Sequence, residues 1–293
     1  MTESPVSICD GMLPEKLVSE LRDGKSPVFP LDSERYQVIR SLLGEAICDR
    51  LGVFSIPDGF CLSVVIPVFN EVDTITNILD RLDEIGLPME LILVDDGSTD
   101  GTRQRLEELA ETRKLRVILH DENQGKGAAI RTGMAQATGD VIVIQDADLE
   151  YDPVDFWWLL QPILSNRADV VYGSRYLEPT QAIPPLWHRA VNGLLSGLAS
   201  LVAGMRFTDV ETCYKMMRRS TVEPILPELK EDRFGIEIEL TFRLVRQTRA
   251  RFFEVPIRYE RRTYAEGKKI TWRDGVAALW CIARYGVLPA TRD

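Results

Sequence analysis

Val141-Ile-Val-Ile-Gln-Asp-Ala-Asp148 is a short apolar run that stops at two aspartates one residue apart. It reads as a buried strand running straight into an acidic loop. Three similar runs lie upstream, Leu62-Ser-Val-Val-Ile-Pro67, Leu91-Ile-Leu-Val94 and Leu115-Arg-Val-Ile-Leu119. Helical spacing separates them. Val72, Ile75, Ile78, Leu79, Leu82 and Ile85 recur at the helix period. Residues 99–111 form a second helical stretch behind the cap-competent Ser98, Thr99 and Asp100, and a Gly-rich loop opens a third over 125–137. Strands alternating with helices predict an α/β fold with a mostly parallel sheet flanked by helices. In such sheets ligands bind beyond the carboxyl ends of the strands. Asp95-Asp96 and Asp146-Ala147-Asp148 follow two of those ends, so both pairs are expected on the ligand-binding edge.

Two aspartates so spaced, on a bent loop, can converge on one hard divalent cation. Mg2+ or Mn2+ takes few protein carboxylates and completes its shell with water and substrate phosphate. Bridging a diphosphate, the ion neutralises charge on a departing nucleoside diphosphate. Glu150 offers a further oxygen. A solvated strand end or a helix cap would give the same spacing. Asp96 suits hydrogen bonds from a nucleobase or ribose, or an Asx-type turn through Asp96-Gly97. Gly125-Lys126-Gly127-Ala128 would let backbone approach a ligand closely.

Other chemistries lack support. There is no Walker loop, no Gly-x-Gly-x-x-Gly after the first strand and no Gly-x-Ser-x-Gly elbow. His120 and His188 are isolated and read as surface or strand-end residues. The five cysteines are scattered without zinc or redox spacing, which points to free thiols in a reducing compartment. No run approaches a transmembrane length of about 20 apolar residues, and the N-terminus lacks a signal-peptide pattern. The expectation is therefore a cytoplasmic chain whose membrane contact is peripheral. A net charge of −10 argues against nucleic acid as a partner. Residues 243–273 nevertheless hold ten Arg or Lys against three Asp or Glu, whereas residues 1–60 hold six against ten. A basic C-terminal region on an acidic chain suits a phosphate or lipid headgroup, or is a solvated helix face.

Three segments are expected: a helical N-terminal extension over 1–60, a catalytic domain over 61–260, and a basic loop with an amphipathic helix over 261–293. In the extension, residues 13–21 and 36–51 have helical patterns broken by Ser26-Pro27 and Phe29-Pro30. In the second half, residues 169–172 and 252–257 read as strands, and 187–202, 236–247 and 274–285 as helices.

Eight motifs in order carry a family resemblance. They are Val65-Ile-Pro-Val-Phe-Asn-Glu71, Val94-Asp-Asp-Gly-Ser-Thr-Asp-Gly-Thr102, Asn123-Gln-Gly-Lys-Gly-Ala-Ala129 and Asp146-Ala-Asp-Leu-Glu150, then Gly173-Ser-Arg-Tyr176, Asp209-Val-Glu-Thr-Cys-Tyr-Lys215, Phe234-Gly-Ile-Glu-Ile-Glu239 and Arg262-Thr-Tyr-Ala-Glu-Gly-Lys-Lys-Ile270. The set, spanning about 61–275, resembles the family-2 inverting glycosyltransferases of GT-A (Rossmann-like) fold. Within them it is most similar to a bacterial branch of the dolichyl-phosphate mannose synthase and polyprenyl-phosphate glycosyltransferase group.

The resemblance implies transfer of a hexose from a GDP- or UDP-sugar to a polyprenyl phosphate, with inversion, using Mg2+ or Mn2+. Pro67, Phe69, Glu71, Val94 and Asp96 would hold the nucleoside. Asp146, Asp148 and Glu150 would meet the metal, with Ala147 packed nearby. Arg175 would face phosphate, and Arg262 with Lys268 or Lys269 would clamp the donor diphosphate or the acceptor phosphate. The sequence departs from the family at Glu150, often Gln, and at Gly267-Lys268-Lys269, more often Gly-x-Ser-Lys. Asp209 would act as a base or orient the acceptor, unless it caps a helix; Glu237 and Glu239 would position Arg or Lys, unless they lie on an exposed helix face. The helix over 194–205 and the segment 272–288 would lie against a bilayer or pack in the core. Family members often add C-terminal transmembrane helices, so a membrane-embedded partner subunit is a further expectation. The alternatives are a soluble transferase acting on a hydroxyl of a glycan, small molecule or protein, and a noncatalytic nucleotide-sugar-binding subunit.

Overall fold

The structure, a computed structural model, describes residues 29–31, 33–177, 186–260 and 272–287. The chain divides into two compact units, Met1–Asp58 and Gly59–Asp293. In the first, strands β1 (Phe29–Leu31) and β2 (Val53–Ser55) pair in parallel around helices α1 (Ser33–Leu43) and α2 (Glu45–Arg50). The helices fit the expected helical extension, and a pair of short strands adds to it. Its strands escape sequence reading because three residues are too few to show alternation, and Pro30, taken as a break, lies inside one. The helical pattern over 13–21 lies outside the described residues.

The second unit is built on a seven-stranded sheet. Its strands are β3 (Leu62–Val68), β4 (Met89–Asp95), β5 (Leu115–Leu119), β6 (Val141–Ile144), β7 (Val170–Ser174), β8 (Lys215–Arg218) and β9 (Phe252–Pro256), in the order β5-β4-β3-β6-β8-β7-β9. β8 is antiparallel to both neighbours; the other pairings are parallel. The longer helices between strands are α3 (Ile75–Glu84), α4 (Thr102–Thr112), α5 (Lys126–Ala135), α6 (Phe156–Leu164), α7 (Leu186–Ala203) and α8 (Ile236–Gln247). α9 (Trp272–Cys281) continues into a π-helical stretch, Ile282–Val287. Ala278, Cys281 and Ile282 are buried, which draws the C-terminal helix into this unit.

The topology locates the site. β3 is paired with β4 on one side and β6 on the other, so the strand order reverses there. Ligands favour the crevice at such a reversal. The loops leaving β3, β4 and β6 carry Phe69 to Glu71, Asp96 and Asp146 to Glu150. α5 lies close on this part of the sheet because Gly133 has no side chain. A Cβ there would fall 2.5 Å from Val65 Cγ1 and 3.3 Å from Val94 Cγ2. Gly133→Val should therefore destabilise the fold by about 2–3 kcal/mol through overpacking, read as a lowered denaturation midpoint without a change in denaturant slope.

Candidate functional site

The first feature at the carboxyl edge is an ion pair. Lys126, the first residue of α5, places its Nζ 2.6 Å from Asp146 Oδ1, and Glu237 Oε1 lies 3.7 Å away. Burial works against the ammonium charge, but Asp146 and Glu237 outweigh it and hold the Lys126 pKa well above its ordinary value. Gln145 supports the loop: its side-chain amide donates to Asp146 O at 2.9 Å, while its oxygen accepts from Tyr214 at 2.7 Å. Ala147 is buried. Leu149 has φ +63°, an uncommon conformation for a leucine, which turns the chain between Asp148 and Glu150. Asp148 Oδ1 accepts from the Glu150 amide at 3.1 Å, and Glu150 Oε2 accepts from Tyr259 at 2.9 Å.

Among the described residues no group of three or more acidic, His or Cys side chains stands ready to hold a metal ion. The donor chemistry still fits a hard cation bound by one or two carboxylates plus substrate oxygens. Asp146 already holds a cation, the Lys126 ammonium. Glu150, taken up by Tyr259, is less available as a third ligand.

Lys126 reaches this place through a turn whose glycines serve the protein's own backbone. A Cβ on Gly125 would lie 2.3 Å from Asp232 O, and one on Gly127 would lie 2.2 Å from Glu231 O. The loop over 231–233 thus rests directly on the turn, and Ala128 N donates to Asp232 O at 3.1 Å. The expectation that these glycines admit a ligand is corrected: the close approach is internal. Sequence reading passed over Lys126 because it weighed the glycines and not the residue between them.

The nucleoside residues divide. Pro67 and Phe69 are partly exposed, and Glu71 lies at the same edge, with its amide donating to Thr102 Oγ1 and its carboxylate accepting from Thr74. Val94 is fully buried beside Gly133, which leaves it no side-chain surface for a nucleoside. Asp96 is also turned inward. His120 Nδ1 lies 2.8 Å from it, and the Gln124 and Gly125 amides donate to it at 3.0 and 2.7 Å. Its carboxylate therefore anchors the loop ahead of α5. His120, expected at a surface or strand end, is a buried strand-end residue whose Nε2 meets Thr132 at 3.0 Å.

Further along the edge, Arg175 and Asp209 form a two-pronged pair, Nε to Oδ2 and Nη2 to Oδ1, each 2.7 Å. Asp209 is fully buried and also accepts from the Arg175 amide. With both oxygens taken, it is built to orient the guanidinium rather than to accept a proton. The Arg175 guanidinium stacks over Tyr259 at 5.1 Å. Glu237 and Glu239 are both buried. Glu237 Oε2 holds the fully buried Lys215 at 2.5 Å, and Glu239 holds Arg243 at 3.1 Å and the Lys230 and Glu231 amides. Arg262, Lys268 and Lys269 lie outside the described residues. Glu260, the last described residue before them, donates its amide to Glu150 O at 2.8 Å.

Glu211, which sequence reading missed, lies among these charges and feels Lys215, Glu237, Arg175 and Asp209. Its Oε1 is buried without a hydrogen-bond partner. Burial pushes its carboxyl up to about 7, against the pull of Lys215 and with a push from Glu237. The neutral acid is thus favoured in the fold, and that contribution is full below 4.5 and lost as pH rises through about 7. Glu211→Gln should be more stable than wild type at pH 8 and gain little at pH 5, measured by paired denaturation curves.

Comparison with known proteins agrees with this architecture. Residues 63–226 match the model of Glycosyl transferase family 2. The chain is 29% identical over 212 residues to a dolichol-phosphate mannosyltransferase of Pyrococcus furiosus, covering 71% of this chain and 58% of that one. It is 30% identical over 213 residues to an undecaprenyl-phosphate 4-deoxy-4-formamido-L-arabinose transferase of Edwardsiella ictaluri, covering 71% and 62%. An undecaprenyl-phosphate mannosyltransferase of Micrococcus luteus is 28% identical over 210 residues, with 70% and 85% covered. The chain spans about three fifths of the length of the first two. In fold it is similar to glucosyl-3-phosphoglycerate synthase of Mycobacterium tuberculosis, crystallised with Mn2+, UDP and phosphoglyceric acid (TM-score 0.60, 22% identity, 80% of this chain and 81% of that one). With the family model matching more than half of its length, on a sheet that brings Lys126 and Asp146 to one edge, the chain belongs to glycosyl transferase family 2.

Proposed function

We propose that the chain transfers a hexose from a nucleoside diphosphate sugar to a polyprenyl phosphate, with inversion at the anomeric carbon. One observation carries the choice of acceptor. Asp209, the carboxylate expected to act as a base or to orient the acceptor, is locked by Arg175. A phosphate acceptor is already an anion near neutral pH and needs no base, whereas a hydroxyl does. The relatives named for undecaprenyl and dolichol phosphates support the same reading.

In this reading a phosphate oxygen of the acceptor attacks the anomeric carbon while the bond to the nucleoside diphosphate breaks. Asp146 and Asp148 would hold Mg2+ or Mn2+, which would supply neutralising charge for the leaving diphosphate. Lys126 turns its ammonium from Asp146 toward the diphosphate. Arg175, aimed by Asp209, would face phosphate, and Arg262 with Lys268 or Lys269 would clamp the donor diphosphate or the acceptor phosphate. Pro67, Phe69 and Glu71 line the nucleoside end. Val94 and Asp96 support that end from within.

A lipid acceptor requires approach to a bilayer. Among the described residues no helix is long and apolar enough to cross one. α7 exposes Val191, Leu194 and Leu201, and the C-terminal helix exposes Val276, Leu279, Trp280 and, beyond it, Val287. We assign these faces to peripheral contact with the cytoplasmic leaflet, alone or beside a membrane-embedded subunit. Transfer to a hydroxyl is the second reading, and Glu211 is what favours it: a carboxyl at about 7 suits a general base.

Three outcomes follow. With Mn2+, a UDP- or GDP-sugar and undecaprenyl phosphate, the chain should form a glycolipid. Product only from hydroxyl acceptors, lost in Glu211→Gln, would reverse the assignment. Asp148→Ala should lower metal-dependent turnover on the order of a hundredfold, since such a cation contributes several kcal/mol to charge stabilisation. Trp280→Glu should weaken cosedimentation with anionic vesicles by roughly tenfold or more, from the lost burial of one large apolar side chain.

A further inference from the structure

The C-terminal π-helical stretch is tied to the donor edge through one carboxylate. Tyr285 donates its hydroxyl to Glu231 Oε1 at 2.7 Å, and Arg284 Nη1 lies 3.3 Å from the same oxygen. Glu231 begins the loop that rests on the Lys126 turn: its carbonyl oxygen is the atom that a Cβ on Gly127 would meet at 2.2 Å. That carbonyl also accepts from Arg131 of α5, whose Nη2 reaches Asp232 Oδ1 at 2.6 Å. From below, Glu239 Oε2 accepts the Lys230 and Glu231 amides at 2.8 and 2.7 Å. A side chain at Gly235 would strike Cys281 Sγ at 2.6 Å and Glu231 Oε2 at 2.9 Å, so Glu231 is packed into place as well as bonded.

The contacts form one chain from the C-terminal helix to the acidic loop: Tyr285, Glu231, the backbone over Gly127, Lys126, Asp146. We infer that Tyr285 and Glu231 are positioning residues for the donor diphosphate, setting the Lys126 turn from the C-terminal helix. Neither touches the substrate. They act by fixing the height of the 231–233 backbone, and with it the origin of the Lys126 side chain. This rests on the reading that Lys126 meets the donor diphosphate. The helix that supplies Tyr285 also carries the exposed Trp280, so whatever holds that helix is mechanically joined to the donor site.

The test is a double-mutant cycle on the full chain, read by calorimetry of UDP and of GDP binding in Mn2+. Tyr285→Phe removes one hydroxyl and keeps the ring that packs under Arg243 at 5.7 Å. It should weaken binding of the preferred nucleotide roughly tenfold, the lower end for an outer partner of a binding group. The melting temperature should fall by no more than about 2–4 °C, since only one partly exposed hydrogen bond is lost. In a Lys126→Ala background the same substitution should have little further effect, because the coupled residues share one route. Glu231→Gln, which retains an acceptor for Tyr285, should lie between wild type and Tyr285→Phe. Unchanged binding by Tyr285→Phe, or a loss of equal size with and without Lys126, overturns the inference alone. A wild type that binds neither nucleotide overturns it together with the proposed function.

Discussion

Asp146 stands where a buried strand runs out, and a carboxylate drawn part-way from water needs a compensating charge. Lys126 supplies it at 2.6 Å, and much of the surrounding structure exists to put that ammonium there. The turn before α5 needs Gly125 at φ +107°, open to few other residues, and Gly127 bare under the 231–233 backbone. Asp96 ties down the same turn from the other side by accepting the Gln124 and Gly125 amides. A residue expected to bind ligand thus holds the frame that places another. The ligand edge is less a set of independent contacts than one turn fastened from two directions.

Beyond that turn the edge is a row of opposite charges in contact. Lys215 is fully buried yet complete: it donates to Val210 O, Thr212 O and Glu237. Arg175 and Asp209 repeat the solution with a fork against a carboxylate. Buried pairs of this kind contribute little net stability, because desolvation offsets the attraction. Their value here is orientation. Charges fixed before substrate arrives need not reorganise during reaction, which is where electrostatic catalysis gains most.

Part of this was legible in the amino-acid order. The six strands read from apolar runs are all present, and Asp146 and Asp148 lie at the predicted strand end. What escaped has physical causes. β8 starts with Lys215, a charge that belongs in a strand only because Glu237 waits for it from a distant helix. α6, Phe-Trp-Trp-Leu-Leu-Gln-Pro-Ile-Leu, is apolar nearly all round and shows no helical period, and Pro162 lies inside it. Glu211 has an unpaired oxygen that depends on burial by tertiary packing, which no local pattern shows. The bond between Tyr285 and Glu231 joins residues 54 positions apart and leaves no local pattern.

The Lys126–Asp146 pair also bears on how an acidic edge receives an acidic ligand. With Asp146 and Asp148 uncompensated, the edge would repel a diphosphate. With Lys126 on Asp146, that repulsion is reduced before any ligand arrives. On the proposed function, Asp146 and Asp148 would hold a divalent cation, and Lys126 would turn its ammonium from Asp146 toward the donor diphosphate. The lysine would thereby trade one anionic partner for another. Such an exchange requires a mobile side chain on an immobile base. The four methylenes of Lys126 provide the first, and the turn clasped between Asp96 and the 231–233 backbone provides the second. An arginine at this position, whose planar fork is matched to a fixed carboxylate, would hold Asp146 more firmly and release it less readily.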